Sequence, residues 1–175
     1  YYELNTPTWN KIALVELPIK NIEIAGVPVK GNLDKIEFNG KDVTVVDYKT
    51  GKLKYAKDKF TRPDDELPGG DYWRQAVFYK LLIDHDHTKD WNVVSTIFDF
   101  VEPVTEGEYH KEQIVITPQD MVDVTGQITS VYQKIMNHDF ATGCGKKECD
   151  WCHFVRSNFE QVGGVMDEGE GPDDL

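Results

Sequence analysis

The chain has 175 residues, enough for one well-cored domain, and its 39% hydrophobic and 29% charged content is that of ordinary globular material. No apolar run approaches the roughly 18 residues of a membrane span, and no secretory signal pattern is present. The net charge of −12 argues against strong autonomous binding to nucleic acid, because phosphate contact rests on Lys and Arg. Part of that charge is local: the tail after Gln161 holds Asp167, Glu168, Glu170, Asp173 and Asp174 with no basic residue, leaving −7 on the body. Three cysteines, close together and odd in number, argue against a secreted disulfide framework and point to the cytoplasm. The chain opens on Tyr1–Tyr2–Glu3 without an initiator methionine, so a piece of a longer protein is expected.

In chain order, Trp9 to Leu17 reads as a short strand stopped by Pro18, and Ile22 to Val29 as strand, turn and strand. Asn39–Gly40 is a strong hairpin signal. The β-branched run Lys41 to Val46 then leads into Asp47–Tyr48–Lys49. A tight Asn39–Gly40 turn sets Phe38 opposite Lys41 and Asp34 opposite Val45. Side chains alternate with period two, so Val45, Asp47 and Lys49 share a face with Asp34, and the two aspartates become diagonal neighbours. Paired carboxylates repel unless a cation lies between them. Hard oxygen ligands with open positions suit Mg²⁺ or Mn²⁺, with Lys49 beside a bound water or phosphate.

Lys52 to Gly70 is charged, aperiodic and rich in Pro and Gly, and reads as a mobile connector, with a substrate-gating loop as the alternative. Asp71 to Asp84 has the apolar stripe of a helix, with Asp71 as expected N-cap. Gln75 and Tyr79, four apart, project from one face of it. His85–Asp86–His87 reads as a solvated helix end rather than a metal pair. Val93 to Val101 is a buried strand expected to run parallel to the Val43–Lys49 strand after the helical crossover. Gln113 to Ile116 is a further strand. Thr117–Pro118–Gln119–Asp120 opens a helix to about His138, with Thr as N-cap and Asp replacing the usual Glu of a capping box. The order of elements predicts an α/β fold, a mixed central sheet flanked by helices.

Cys144–x4–Cys149–x2–Cys152 has thiolate spacing suited to zinc or an iron–sulfur cluster, with His138 or His153 available to complete a zinc site. The competing reading is a knuckle, 143–155, that packs Trp151 and Phe154 onto the domain without metal. An acidic disordered tail is expected over 161–175.

Three ordered motifs carry a resemblance: Gly31–Asn32–Leu33–Asp34–Lys35–Ile36–Glu37, then Asp47–Tyr48–Lys49–Thr50–Gly51, then Gln75–x3–Tyr79. Together they resemble the RecB-type nuclease domain of the PD-(D/E)xK superfamily, as found at the C-termini of UvrD/Rep-type and AddAB/RecBCD-type helicase–nucleases, over roughly residues 14–155. The resemblance implies a restriction-endonuclease-like core over 1–160 and a Mg²⁺- or Mn²⁺-dependent deoxyribonuclease. Asp34 and Asp47 would hold the metal with the Tyr48 carbonyl, and Lys49 would be the catalytic cation. Gln75, Tyr79 and Arg74 would position the DNA, expected to be single-stranded and fed by an ATP-dependent helicase in repair or recombination. Glu16 would have a minor structural role. RecB-type domains also carry a helix with a metal-binding histidine before the first strand. No histidine precedes His85, so that ligand is expected either upstream of Tyr1, with its helix, or to have been lost by the domain. Their cluster cysteines likewise include one far upstream that is absent here. A catalytically silent DNA-binding or interaction module of a helicase is the alternative, and a regulatory metal domain built on the cysteines leaves the central motif unexplained.

Overall fold

The structure, a computed structural model, describes residues 1–65, 67–139 and 149–163. A four-residue helix α1 (Tyr2–Asn5) precedes strands β1 (Ala13–Ile24), β2 (Val27–Asn39) and β3 (Asp42–Lys49). Helix α2 (Asp71–Asp84), strands β4 (Asn92–Phe100) and β5 (Lys111–Ile114), and helix α3 (Pro118–Met136) follow, with α4 over Asp150–Gly163. The five strands form one sheet in the order β1-β2-β3-β4-β5. Only β3 and β4 are parallel, joined by the α2 crossover, and the other neighbours are antiparallel. This is the mixed sheet with flanking helices that the element order predicts, consistent with a restriction-endonuclease-like core. Residues 1–129, with the whole sheet and α2, form one compact unit, and residues 130–175, which include α4, form a second.

The core of the first unit lies between the sheet and α2. Ile36, Val43, Val45, Phe98 and Phe100 from the strands meet Trp73, Ala76, Val77 and Leu82 from the helix, all buried. Each large side chain in such a core stabilises the fold by about 1.5–3 kcal/mol. The β-branched residues of β3 supply its strand preference, and their alternation supplies its buried face.

Four expectations change. The first strand is longer and later than Trp9 to Leu17, because Pro18 lies at the edge of the sheet, where a missing N–H costs no ladder bond. At the β2–β3 hairpin the two central residues are Gly40 and Lys41, with Asn39 paired to Asp42 and Gly40 at φ +66°. Glycine at the first central position suits a type II′ turn. Phe38 therefore faces Val43 and Lys35 faces Val46, a register two residues from the expected one. Carried one step on, Asp34 lies opposite Asp47 rather than Val45. The N-cap of α2 is Gly70 with no side-chain cap, and Asp71 instead pairs with Arg74 at 3.0 Å in the first turn. The strand expected at 113–116 is β5, displaced two residues earlier.

The described part of the 52–70 segment carries local structure. Two 3-10 turns, Leu53–Tyr55 and Lys57–Phe60, flank a buried Ala56. Phe60 packs edge-on against Tyr72, Phe98 and Phe100, and Gly70 N–H donates to the Thr61 carbonyl at 2.8 Å. Arg62 reaches Asp120 with Nε at 2.8 Å and Nη2 at 3.1 Å. Asp120, 2% exposed, also accepts the Trp73 indole N–H at 2.9 Å. Its carboxylate accepts the Thr117 N–H at 2.8 Å while its own N–H donates to Thr117 Oγ1 at 3.2 Å, the capping box foreseen from the sequence. Burial raises the pKa of this carboxyl, but the Arg62 guanidinium and the Thr117 and Trp73 donors outweigh it and hold the carboxyl at about 2.

In the second unit Asp150 stands in the first turn of α4, which carries Cys152 and His153. Trp151 and Phe154 are exposed rather than packed, and Cys149 and Cys152 are half-buried. Cys144 and the tail beyond Gly163 lie outside the described residues.

Candidate active site

The sheet brings the acids of the central motifs together. Asp34 on β2 and Asp47 on β3 share the face that looks onto α2. Asp34 Oδ2 accepts the Tyr48 backbone N–H at 3.0 Å, so a side chain rather than a β2 carbonyl closes that end of the hairpin. This contact fixes the Asp34 carboxylate one residue from Asp47. From above, α2 lowers Gln75 and Tyr79, one helical turn apart, onto the same acid. Asp47 Oδ2 accepts from the Tyr79 hydroxyl at 2.6 Å and from Gln75 Nε2 at 3.0 Å, and Gln75 Nε2 lies 2.6 Å from the Tyr79 oxygen.

Lys49 completes the group. Its ammonium lies 2.6 Å from Asp47 Oδ1 and donates to Gln75 Oε1 at 2.8 Å. It also sits 4.5 Å from the Tyr72 ring centroid and 5.2 Å from that of Phe98. Period two alone places Lys49 on the face of Asp47; the aromatic floor then holds its long stem in one place. Burial first, and then the hydrogen bond and charge of Asp47, push the Tyr79 phenol far above its ordinary value. Tyr79 is thus a permanent hydrogen-bond donor and no base at neutral pH.

The two oxygens of Asp47 differ. Oδ2 is saturated by Tyr79 and Gln75. Oδ1 is buried and ion-paired with Lys49, yet has no hydrogen bond of acceptable geometry. A buried carboxylate oxygen without such a bond suits a cation ligand, since buried acceptors are normally satisfied. With Asp34 opposite, the donors are hard carboxylate oxygens, a set that fits Mg²⁺ or Mn²⁺ and not a softer metal. Among the described residues no three His, Cys, Asp or Glu side chains converge as a metal cage, so further ligands there would be backbone oxygen or water. His85 and His87, and Cys149 and Cys152, likewise belong to no such group among the described residues, and Cys144 lies outside them.

Arg74 is not part of this group. Its guanidinium is spent on Gln127 Oε1 at 2.8 Å, Asp71 at 3.0 Å and the Gly69 carbonyl at 3.0 Å, which ties the loop before α2 to α3. Adjacent residues on a helix diverge by about 100°, so Arg74 and Gln75 face different ways. Glu16 accepts Asn32 Nδ2 at 3.0 Å on the exposed side of β1–β2, a structural contact. Sequence reasoning missed Tyr72. Its signal was its spacing, three residues before Gln75 and seven before Tyr79.

Residues 3–157 match the family described as the PD-(D/E)XK nuclease superfamily. Two solved structures are similar. One is the crystal structure of SSO0001, at 20% identity and TM-score 0.45, covering 82% of this chain and 58% of that one. The other is described as a candidate exonuclease from Eubacterium rectale, at 13% identity and TM-score 0.47, covering 81% of this chain and 51% of that one. This chain therefore spans between half and three-fifths of their lengths. No curated protein matches it. Among the described residues no helix is long and apolar enough to cross a membrane.

Proposed function

We propose, from the premise that this chain belongs to the PD-(D/E)XK nuclease superfamily, that it hydrolyses phosphodiester bonds of DNA at the Asp34–Asp47–Lys49 site in an exonuclease-like manner. The observation that carries the reading is the convergence of Lys49, Gln75 and Tyr79 on Asp47, whose Oδ1 takes no hydrogen bond and is ion-paired with Lys49. Asp34, Asp47 and the Tyr48 carbonyl would hold Mg²⁺ or Mn²⁺, which when bound supplies Lewis-acid polarisation of phosphate and acidifies water. Gln75 and Tyr79 hold the Asp47 carboxylate in one orientation by donating to Oδ2. The Lys49 ammonium, steadied on the Tyr72 ring, offers preorganised positive charge where negative charge grows on the phosphoryl oxygens. Gln75, through its carbonyl on Lys49 and its amide on Asp47, sets the spacing between acid and cation.

The substrate we infer is single-stranded DNA, delivered by a helicase motor in the same polypeptide or complex. The ordered motifs Gly31–Asp34, Asp47–Gly51 and Gln75–Tyr79 support it by their resemblance to RecB-type domains. The test is metal-dependent cleavage of labelled single-stranded DNA by wild type, Asp47→Asn and Lys49→Ala, each checked for fold by circular dichroism. Loss of at least about 10²-fold is expected in both variants. Cleavage at wild-type rate by either folded variant overturns the assignment. A folded wild type that binds metal and cleaves nothing favours a silent binding module.

A further inference from the structure

The segment 52–62 is chemically unlike the rest of the chain. Five of the 19 Lys and Arg residues fall within these eleven positions, with Asp58 as the one acid, whereas 14 cations face 30 acids elsewhere. Arg62 is committed to Asp120. Lys52, Lys54 and Lys57 are exposed and Lys59 half-buried, and among the described residues none of the four is in an ion pair. Charges that answer no internal acid are available to an external one. Among them stands Tyr55, 71% exposed, with the Lys54 ammonium 4.6 Å from its ring centroid.

The segment is also fixed next to the site. The Lys59 ammonium lies 4.9 Å from the centroid of Tyr72, the same ring that carries Lys49. Phe60 and Ala56 anchor the segment from beneath, and the Gly70 position is packed so closely on the Lys59 backbone that an added Cβ would lie 2.3 Å from its carbonyl. A strip of cations with one exposed aromatic therefore borders the Tyr72 ring that also carries Lys49.

We propose that residues 52–62 form the track that receives a single strand of DNA. Lys52, Lys54, Lys57 and Lys59 meet successive phosphates, and Tyr55 stacks on an unpaired base. The choice of ligand rests on the nuclease reading above. The chemistry is that of sequence-tolerant single-strand binding, in which a cationic path follows the backbone and an aromatic face takes any base. It also accounts for how a chain of net charge −12 can hold a polyanion: the field is local rather than global.

The experiment measures binding of fluorescein-labelled oligo(dT) to the full chain by anisotropy, without Mg²⁺, across a series of salt concentrations. Lys54→Ala/Lys57→Ala is expected to weaken binding about tenfold or more at low salt and to flatten the log K against log salt slope by about 1.4, at roughly 0.7 per lost phosphate contact. Tyr55→Ala is expected to weaken binding about tenfold with the slope unchanged. Lys54→Arg/Lys57→Arg, which keeps both charges, should bind like wild type. Wild-type affinity and slope in the double alanine variant, or equal loss in the arginine pair, overturns the proposal, as does absence of binding by wild type. Cleavage with Mg²⁺ is read separately. Lysine-dependent binding by a wild type that never cleaves removes the nuclease reading and keeps the track. Asp47-dependent cleavage with binding indifferent to the lysines removes the track alone.

Discussion

The Tyr79 hydroxyl does two things at once, accepting from Gln75 and donating to Asp47. Tyr79→Phe keeps the ring in the core and deletes only this link, leaving Asp47 Oδ2 with one donor. The expected result is about a tenfold fall in cleavage and a loss of about 1–3 kcal/mol in stability, read by steady-state kinetics and urea unfolding. Unchanged kinetics would show that Asp47 needs no orienting phenol. Asp120 makes the matching case for stability. Its carboxyl is held at about 2, below the ordinary 3.8, so its contribution is complete above about pH 4 and is lost as pH falls through 2. Asp120→Asn should cost about 2 kcal/mol at pH 7 and little near pH 2, so the wild-type and variant unfolding curves should converge in acid. The shared face of Asp34, Asp47 and Lys49 was legible in the sequence because they sit in short motifs on one hairpin, where alternation alone decides it. Asp120 was legible only as a cap. Its partners Arg62 and Trp73 lie 58 and 47 positions away, a separation no local pattern encodes.

At the scale of elements, turns and close approaches set the geometry that the site inherits. The β1–β2 hairpin turns on Ala25 and Gly26, at φ +49° and +80°, the two positive values of a type I′ turn. Alanine is strained there, so Ala25→Asn or Ala25→Gly should raise stability by up to about 1 kcal/mol, visible as an increased Tm. Two glycines next to α2 should behave differently from each other on substitution. A Cβ at Gly31 meets the tip of Leu82 at 2.4 Å, a flexible side chain that can turn aside. A Cβ at Gly70 meets the Lys59 backbone. Gly70→Ala should therefore cost about 3 kcal/mol and Gly31→Ala about 1, and a reversed order in thermal unfolding would contradict the packing described here. Strands β3 and β4, both main helices, the crossover and the capping box followed from periodicity and turn chemistry. The two-residue register shift did not, because Asn39–Gly40 and Gly40–Lys41 are both acceptable hairpin centres and only the packed sheet chooses between them. The two turns at 53–60 were hidden for a related reason: Ala56 and Phe60 are too few to make a period, and Phe60 packs on the α2 and β4 aromatics.

Over the whole molecule the charge of −12 acts against compaction while the 52–62 strip acts for ligand binding, so salt should move the two in opposite directions. Raising NaCl from low concentration to about 0.15 M should increase Tm by screening self-repulsion and weaken oligonucleotide binding in the same samples; a fall in both would show that attractive ion pairs dominate the fold. The sheet's outer boundary carries one more consequence. Strand β1 is an edge of 12 residues with Leu14 and Val15 exposed, and among the described residues it pairs only with β2. It is not a straight edge: Glu16 and Asn21 adopt φ +50° and +59°, and the register slips between Ile19 and Ile22. Each kink turns the free N–H and C=O groups out of line, so an incoming chain finds only short stretches to pair with. The bends at these two residues therefore disfavour edge-to-edge pairing, and smoothing them would exchange a small gain in backbone ease for a straighter edge open to an incoming strand.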